Sequence, residues 1–180
     1  MSGEKKLDVV FRALERRDNI SQIIKNIPMD GCLAESIELM LDNNITNIED
    51  LTDDYYDLSS FQELMKSAGI NVVVSRYLLE KFDIVRYTLI DRLQPNDLVI
   101  AISLTPQSKS SLNQTKKRVI RKQGKIITIT DEDTWEDGEL SLYVGNKYKL
   151  DRYLRRIVVN ILMYILGSII KDVKVGPEDC

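Results

Sequence analysis

The stretch Asp97–Asp131, DLVIAISLTPQSKSSLNQTKKRVIRKQGKIITITD, decides how the rest of this chain is read. It opens with the apolar run Leu98-Val99-Ile100-Ala101-Ile102, which ends abruptly in hydroxyl residues. A helix-compatible segment follows, and a second β-branched run, Ile126-Ile127-Thr128-Ile129-Thr130, is entered through Gly124. Only a strand buried on both faces can omit polar alternation, so two such strands joined by a helix predict a parallel sheet with both faces covered. The loop leaving the first strand, Ser103 to Ser111, then falls at the carboxyl edge of the sheet, where ligands bind in folds of this kind. Its hydroxyls either contact a ligand or cap the helix that follows.

Upstream, Leu7, Val10, Phe11 and Leu14 recur at helical spacing, and a short helix is expected from Ser21 to Ile27, ahead of Pro28. A further helix is expected from Leu33 to Leu41, ended by Asn43-Asn44. The segments Ile48 to Tyr55 and Ser59 to Ala68 also read as helices, the second capped by Gly69. Residues 1–70 are therefore expected to form an all-helical N-terminal region. Beyond them the pattern alternates: Val72 to Val74 as a strand, Ser75 to Phe82 as a helix and Ile84 to Leu89 as a strand. The Asp97 unit follows, then a strand from Leu140 to Val144 and a long helix from about Leu150 to Val173. The expected fold class is α/β, a three-layer sandwich with a small parallel sheet over residues 71–174, with 175–180 as a tail.

The 180 residues are 43% hydrophobic with a mean hydropathy of −0.20, the composition of an ordinary globular chain. Cys32 and Cys180 suggest neither a disulfide framework nor a metal cluster, and no signal-like segment opens the chain, so a reducing cytoplasm is expected. The apolar run Ile157–Ile170 falls short of the roughly 20 residues a bilayer span needs. Histidine is absent, which removes the commonest general base, the commonest metal ligand and every Ser-His or Cys-His nucleophile. No Walker loop, metal-ligand spacing or dinucleotide fingerprint occurs, so neither catalysis nor a cofactor is expected.

Charge is distributed unevenly. Between Gly31 and Ile70 there are nine acids against Lys66 alone, an unfavourable field for DNA. Between Leu98 and Thr130 there are seven bases and no acid, and Lys147, Lys149, Arg152, Arg155 and Arg156 add to them. Such a stripe either is a solvated helix face or draws an anionic partner, including the acidic region of a second subunit. Trp135, in the acidic loop after Thr130, and Tyr55-Tyr56 read either as covers for a ligand or interface, or as parts of the chain's own core.

An apolar strand ending in hydroxyl residues, then a helix and a strand ending Ile-Thr-Ile-Thr, resembles the core of the SIS (sugar isomerase) domain, particularly that of RpiR-type regulators. Ser103, Thr105 and Ser108 stand at the family's three hydroxyl positions, and Pro106 replaces its glycine. The family's Gly-x-Gly-x-Ser turn after the first strand has no counterpart following Val72-Val73-Val74. The resemblance implies a non-catalytic sensor that binds a phosphorylated sugar or similar anion through Ser103, Thr105, Gln107, Ser108 and Ser110. It also implies a homodimer joined by the Ile157–Ile170 helix through Ile157, Val158, Ile161, Leu162 and Ile165. The alternatives are a protein-interaction module with a vestigial loop, a sugar-phosphate isomerase, or a DNA-binding regulator whose recognition unit would lie between Ile48 and Ile70.

Overall fold

The computed structural model describes residues 31–52, 56–76, 89–105, 108–130, 140–144 and 151–176. The helices expected before residue 31, Trp135, Tyr55 and Gln107 lie outside these residues. The elements are α1 (Gly31–Asp42), β1 (Asn44–Asp50), α2 (Ser59–Ser67), β2 (Val73–Arg76), β3 (Asp97–Ser103), α3 (Ser108–Arg121), β4 (Lys125–Thr130), β5 (Leu140–Tyr143) and α4 (Arg152–Val175). The five strands form one sheet in the order β2-β1-β3-β4-β5, and every pairing is parallel.

Both faces are covered, as the unbroken apolar runs require. Leu98, Ile100 and Ile102 of β3 join Ile127 and Ile129 of β4 in one core with α1, α2 and α4, to which Leu33, Met40, Phe61, Met65, Val158, Leu162 and Leu166 contribute. Val99, Ala101 and Ile126 face the other way, packing with Leu112 and Val119 of α3 and with Ile90 and Leu93. The three-layer α/β sandwich is thus the fold expected, and β3-α3-β4 follows the quoted stretch.

One strand departs from the sequence pattern. A helix is expected from Ile48 to Tyr55, yet Asn44–Asp50 is a strand lying between β2 and β3, and residues 53–55 lie outside the described residues. Ile45 pairs with Leu98 and Asn47 with Val99, so Thr46 is an extra residue in β1. This bulge puts Ile45 and Ile48, three residues apart, on the same face of the sheet, where both are buried in the larger core. The first strand is therefore β1 rather than Val72–Val74, which belongs to the edge strand β2. Among the described residues, α1, β1 and α2 share one core with β3, β4 and α4.

Smaller differences have similar local causes. Ser75 and Arg76 extend β2 instead of starting a helix. Leu89 and Ile90 form a helical turn in place of the end of a strand, with the Leu93 N–H donating to Ile90 O at 3.1 Å. Helix α4 begins after Asp151, whose side chain accepts the Leu154 N–H at 2.8 Å as an N-cap, and it runs through Val175. By length and composition α4 is long and apolar enough to cross a membrane, contrary to expectation. Here it is a core helix, with eight buried residues from Leu154 to Ile170 facing α1, α2 and the sheet.

Candidate functional site

In a 2-1-3-4-5 sheet the connections leaving the two central strands diverge to opposite faces, opening a crevice at their carboxyl ends. Here α2, which follows β1, packs in the larger core, and α3, which follows β3, covers the opposite face. The switch point therefore lies between Asp50 at the end of β1 and Ser103 at the end of β3. Parallel pairing brings Arg76 of β2 and Thr130 of β4 to the same edge.

Three of the five expected site residues form one tight cluster. Ser103 and Ser108 are both buried, with their Oγ atoms 2.8 Å apart. The Ser108 hydroxyl donates to Thr105 O at 2.6 Å and accepts the Thr105 N–H at 3.3 Å, while the Ser108 N–H donates to Thr105 O at 3.0 Å. With its proton directed at that carbonyl, Ser108 accepts from Ser103, so the two hydroxyls are engaged in shaping the turn into α3. Thr105 is half-buried at the turn, and Ser110 is exposed in the first turn of α3. The cluster stands at the positive end of a 14-residue helix with no acid in its first turn.

The positive charge at this turn comes from a residue not assigned to the site from sequence. Arg155 of α4 reaches across the sheet edge, its Nη1 donating to Leu104 O at 2.9 Å. A signal for it was present, because Arg152, Arg155 and Arg156 crowd the first turns of α4, where the helix dipole disfavours cations.

On the β1 side the edge carries carboxylates. Glu49 and Asp50 are both almost fully buried, on opposite faces of the strand. Glu49 Oε1 accepts from Asn47 Nδ2 at 3.4 Å on the α3 side. Asp50 Oδ1 accepts the Thr52 N–H at 3.1 Å and the Thr52 hydroxyl at 2.8 Å. Burial pushes the Asp50 carboxyl above its ordinary value; the Thr52 donors, the Tyr56 N–H and the Arg76 charge pull less strongly the other way. Among the described residues no group of three or more metal-ligating side chains occurs. An open cleft of about 240 Å³ lined by Asn43, Asn44, Thr46, Asn71 and Lys174 lies at the opposite, amino edge, away from these groups.

No protein-family model and no curated protein matches the sequence. Solved structures do match in fold. A candidate phosphosugar isomerase involved in capsule formation, from Bacteroides fragilis, is 16% identical with a TM-score of 0.67, over 92% of this chain and 89% of that one. A protein of E. coli CFT073 in complex with a phosphosugar is 10% identical with a TM-score of 0.69, over 99% and 96% of the two chains. The sugar isomerase domain of an RpiR transcription factor from Sphaerobacter thermophilus is 14% identical with a TM-score of 0.55, over 93% of each. With its parallel sheet covered on both sides and its hydroxyl turn at the carboxyl edge, this chain has the fold of the sugar isomerase domains, as the resemblance implied.

Proposed function

We propose that this chain is a non-catalytic, cytoplasmic sensor that binds a phosphorylated sugar, or a similar small anion, at the turn between β3 and α3. The observation that carries this reading is the convergence on one turn of the α3 N-terminus, Thr105 and the Arg155 guanidinium, beside the switch point of the sheet. The phosphosugar complex of the E. coli protein, alike in fold, supports the ligand class. The lack of histidine weighs against isomerase chemistry, which would have to run on carboxylates, lysine or tyrosine. A homodimer formed through the outer face of α4 would transmit occupancy, since Arg155 joins that helix to the turn.

A protein-interaction module is the second reading, favoured by one observation: the Ser103 and Ser108 hydroxyls bond each other. The DNA-binding reading loses its recognition unit, because Ile48 lies in β1 and α2 is packed in the core through Phe61 and Met65.

Thermal denaturation with a panel of phosphosugars, including the one bound by the E. coli protein, separates these readings. Ligand at 100 times its Kd should stabilise the protein by about 2.7 kcal/mol. Thr105→Ala and Arg155→Gln should remove that shift while leaving the unliganded protein folded. No shift across the panel would favour the interaction module, and NMR detection of an isomerised phosphosugar would overturn the non-catalytic assignment.

A further inference from the structure

The side of α4 that faces the core changes character where the helix reaches the carboxyl edge of the sheet. Val158 and Leu162 follow Arg155 by three and seven residues, Val159 and Met163 follow Arg156 by the same spacings, and all four are at most 1% exposed. These spacings return to one side of a helix, so the two arginines continue the inward stripe that is apolar below them. Arg155 turns to the β3 half of the switch point, where it donates to Leu104 O at 2.9 Å. Arg156 lies about 100° further round the axis, on the flank that carries Asn160 and, lower down, Gly167, where Phe61 and Leu64 of α2 pack against α4. Since α2 follows β1, Arg156 turns to the β1 half. Among the described residues, the buried Arg156 Nε has no hydrogen-bond acceptor and the buried Asn160 Oδ1 no donor, although, four residues apart, they share one strip of the helix. Each such group costs free energy while it stays unsatisfied.

We infer that Arg156 and Asn160 form a second ligand subsite and that the ligand is doubly anionic, a phosphorylated sugar acid. Its phosphate binds at the β3–α3 turn with Arg155. Its carboxylate accepts from the Arg156 guanidinium, and a hydroxyl next to that carboxylate donates to Asn160 Oδ1. A guanidinium is planar and matches a carboxylate with two parallel hydrogen bonds, which an ammonium cannot do. The two arginines are consecutive, with Cα atoms about 3.8 Å apart, so one small molecule reaches both. The inference rests on the phosphosugar reading for the place of the phosphate and adds the second acidic group to it.

Binding titrations followed by thermal shift, with matched probes, test it: glucose 6-phosphate against gluconate 6-phosphate, and arabinose 5-phosphate against arabinonate 5-phosphate. In the better-bound pair the acid should bind at least about tenfold tighter than its parent sugar phosphate. Arg156→Met should abolish that preference. Asn160→Asp, which sets a carboxylate of the chain beside Arg156, should abolish it too, and it gives the same reading if Arg156→Met does not fold. Arg155→Gln should weaken both members of a pair alike. A merely structural Arg156 would lower the melting temperature of Arg156→Met and leave the preference intact, which overturns the inference. Equal affinity within each pair sinks this inference and leaves the phosphosugar reading standing, whereas no binding of any probe sinks both.

Discussion

At the scale of single residues, the candidate site is governed by which polar groups are already engaged. Ser103, Thr105 and Ser108 were legible as one turn because a buried strand that stops in hydroxyl residues has to hand over to a helix. Their mutual bonding was not legible, since it depends on a 2.8 Å approach across the turn. Asp50 was hidden for another reason: in a helix it would have been one more solvated acid, whereas at the end of a central strand it is buried. Its ionisation has a predictable sign. The folded pKa is raised, chiefly by burial, so the contribution to stability is fully present below the ordinary value of 3.8 and is lost as pH rises through the folded value. Urea unfolding from mild acid to neutrality should show the unmodified protein losing stability relative to Asp50→Asn; the opposite slope would mean that the Thr52 and Tyr56 hydrogen bonds outweigh burial. Full truncation of the side chain still destabilises at neutral pH, because the donors around it are then left unsatisfied.

At the scale of elements, close approach between helices does what sequence periodicity could not show. A Cβ added at Gly167 of α4 would lie 3.0 Å from Leu64 Cδ1 and 3.1 Å from Phe61 Cδ2, so α2 and α4 pack together at this glycine. Alanine there sets a helix-propensity gain against mild crowding, but a longer side chain has no such balance. Gly167→Leu should destabilise by about 1–3 kcal/mol in denaturant titrations, and an unchanged midpoint would show that α2 can move away at little cost. The bulge at Thr46 belongs to the same scale. It makes β1 legible as a strand only once its partner β3 is known, because an extra residue changes the face on which everything beyond it falls.

At the scale of the whole molecule, the helix read from its composition as an interface divides into two faces. Val158 and Leu162, expected at a dimer contact, are buried in the chain's own core, and Ile157 and Ile161 pack partly against it. Tyr164 is 55% exposed on the outer side, with Ile157, Ile161 and Ile165 half-buried beside it. An apolar face of this kind is uncommon on a monomer. Sedimentation should therefore show a dimer that Tyr164→Glu converts to a folded monomer, and a monomeric unmodified protein would remove α4 as the interface. The layers also separate charge. Glu35, Glu38, Asp42, Asp57 and Glu63 are exposed on α1, on α2 and just before it, whereas Lys109, Lys117 and Arg121 are exposed on α3, across the sheet. The sequence by itself determined that a parallel sheet would be covered on both faces and that a hydroxyl turn would lie at its carboxyl edge, because burial on both sides of a strand and the end of a strand are local properties of residue order. Only the tertiary structure decided that β1 stands inside the sheet between β2 and β3 and that Arg155 crosses from α4 to the Leu104 carbonyl after β3, because each depends on residues distant in sequence meeting within hydrogen-bonding range.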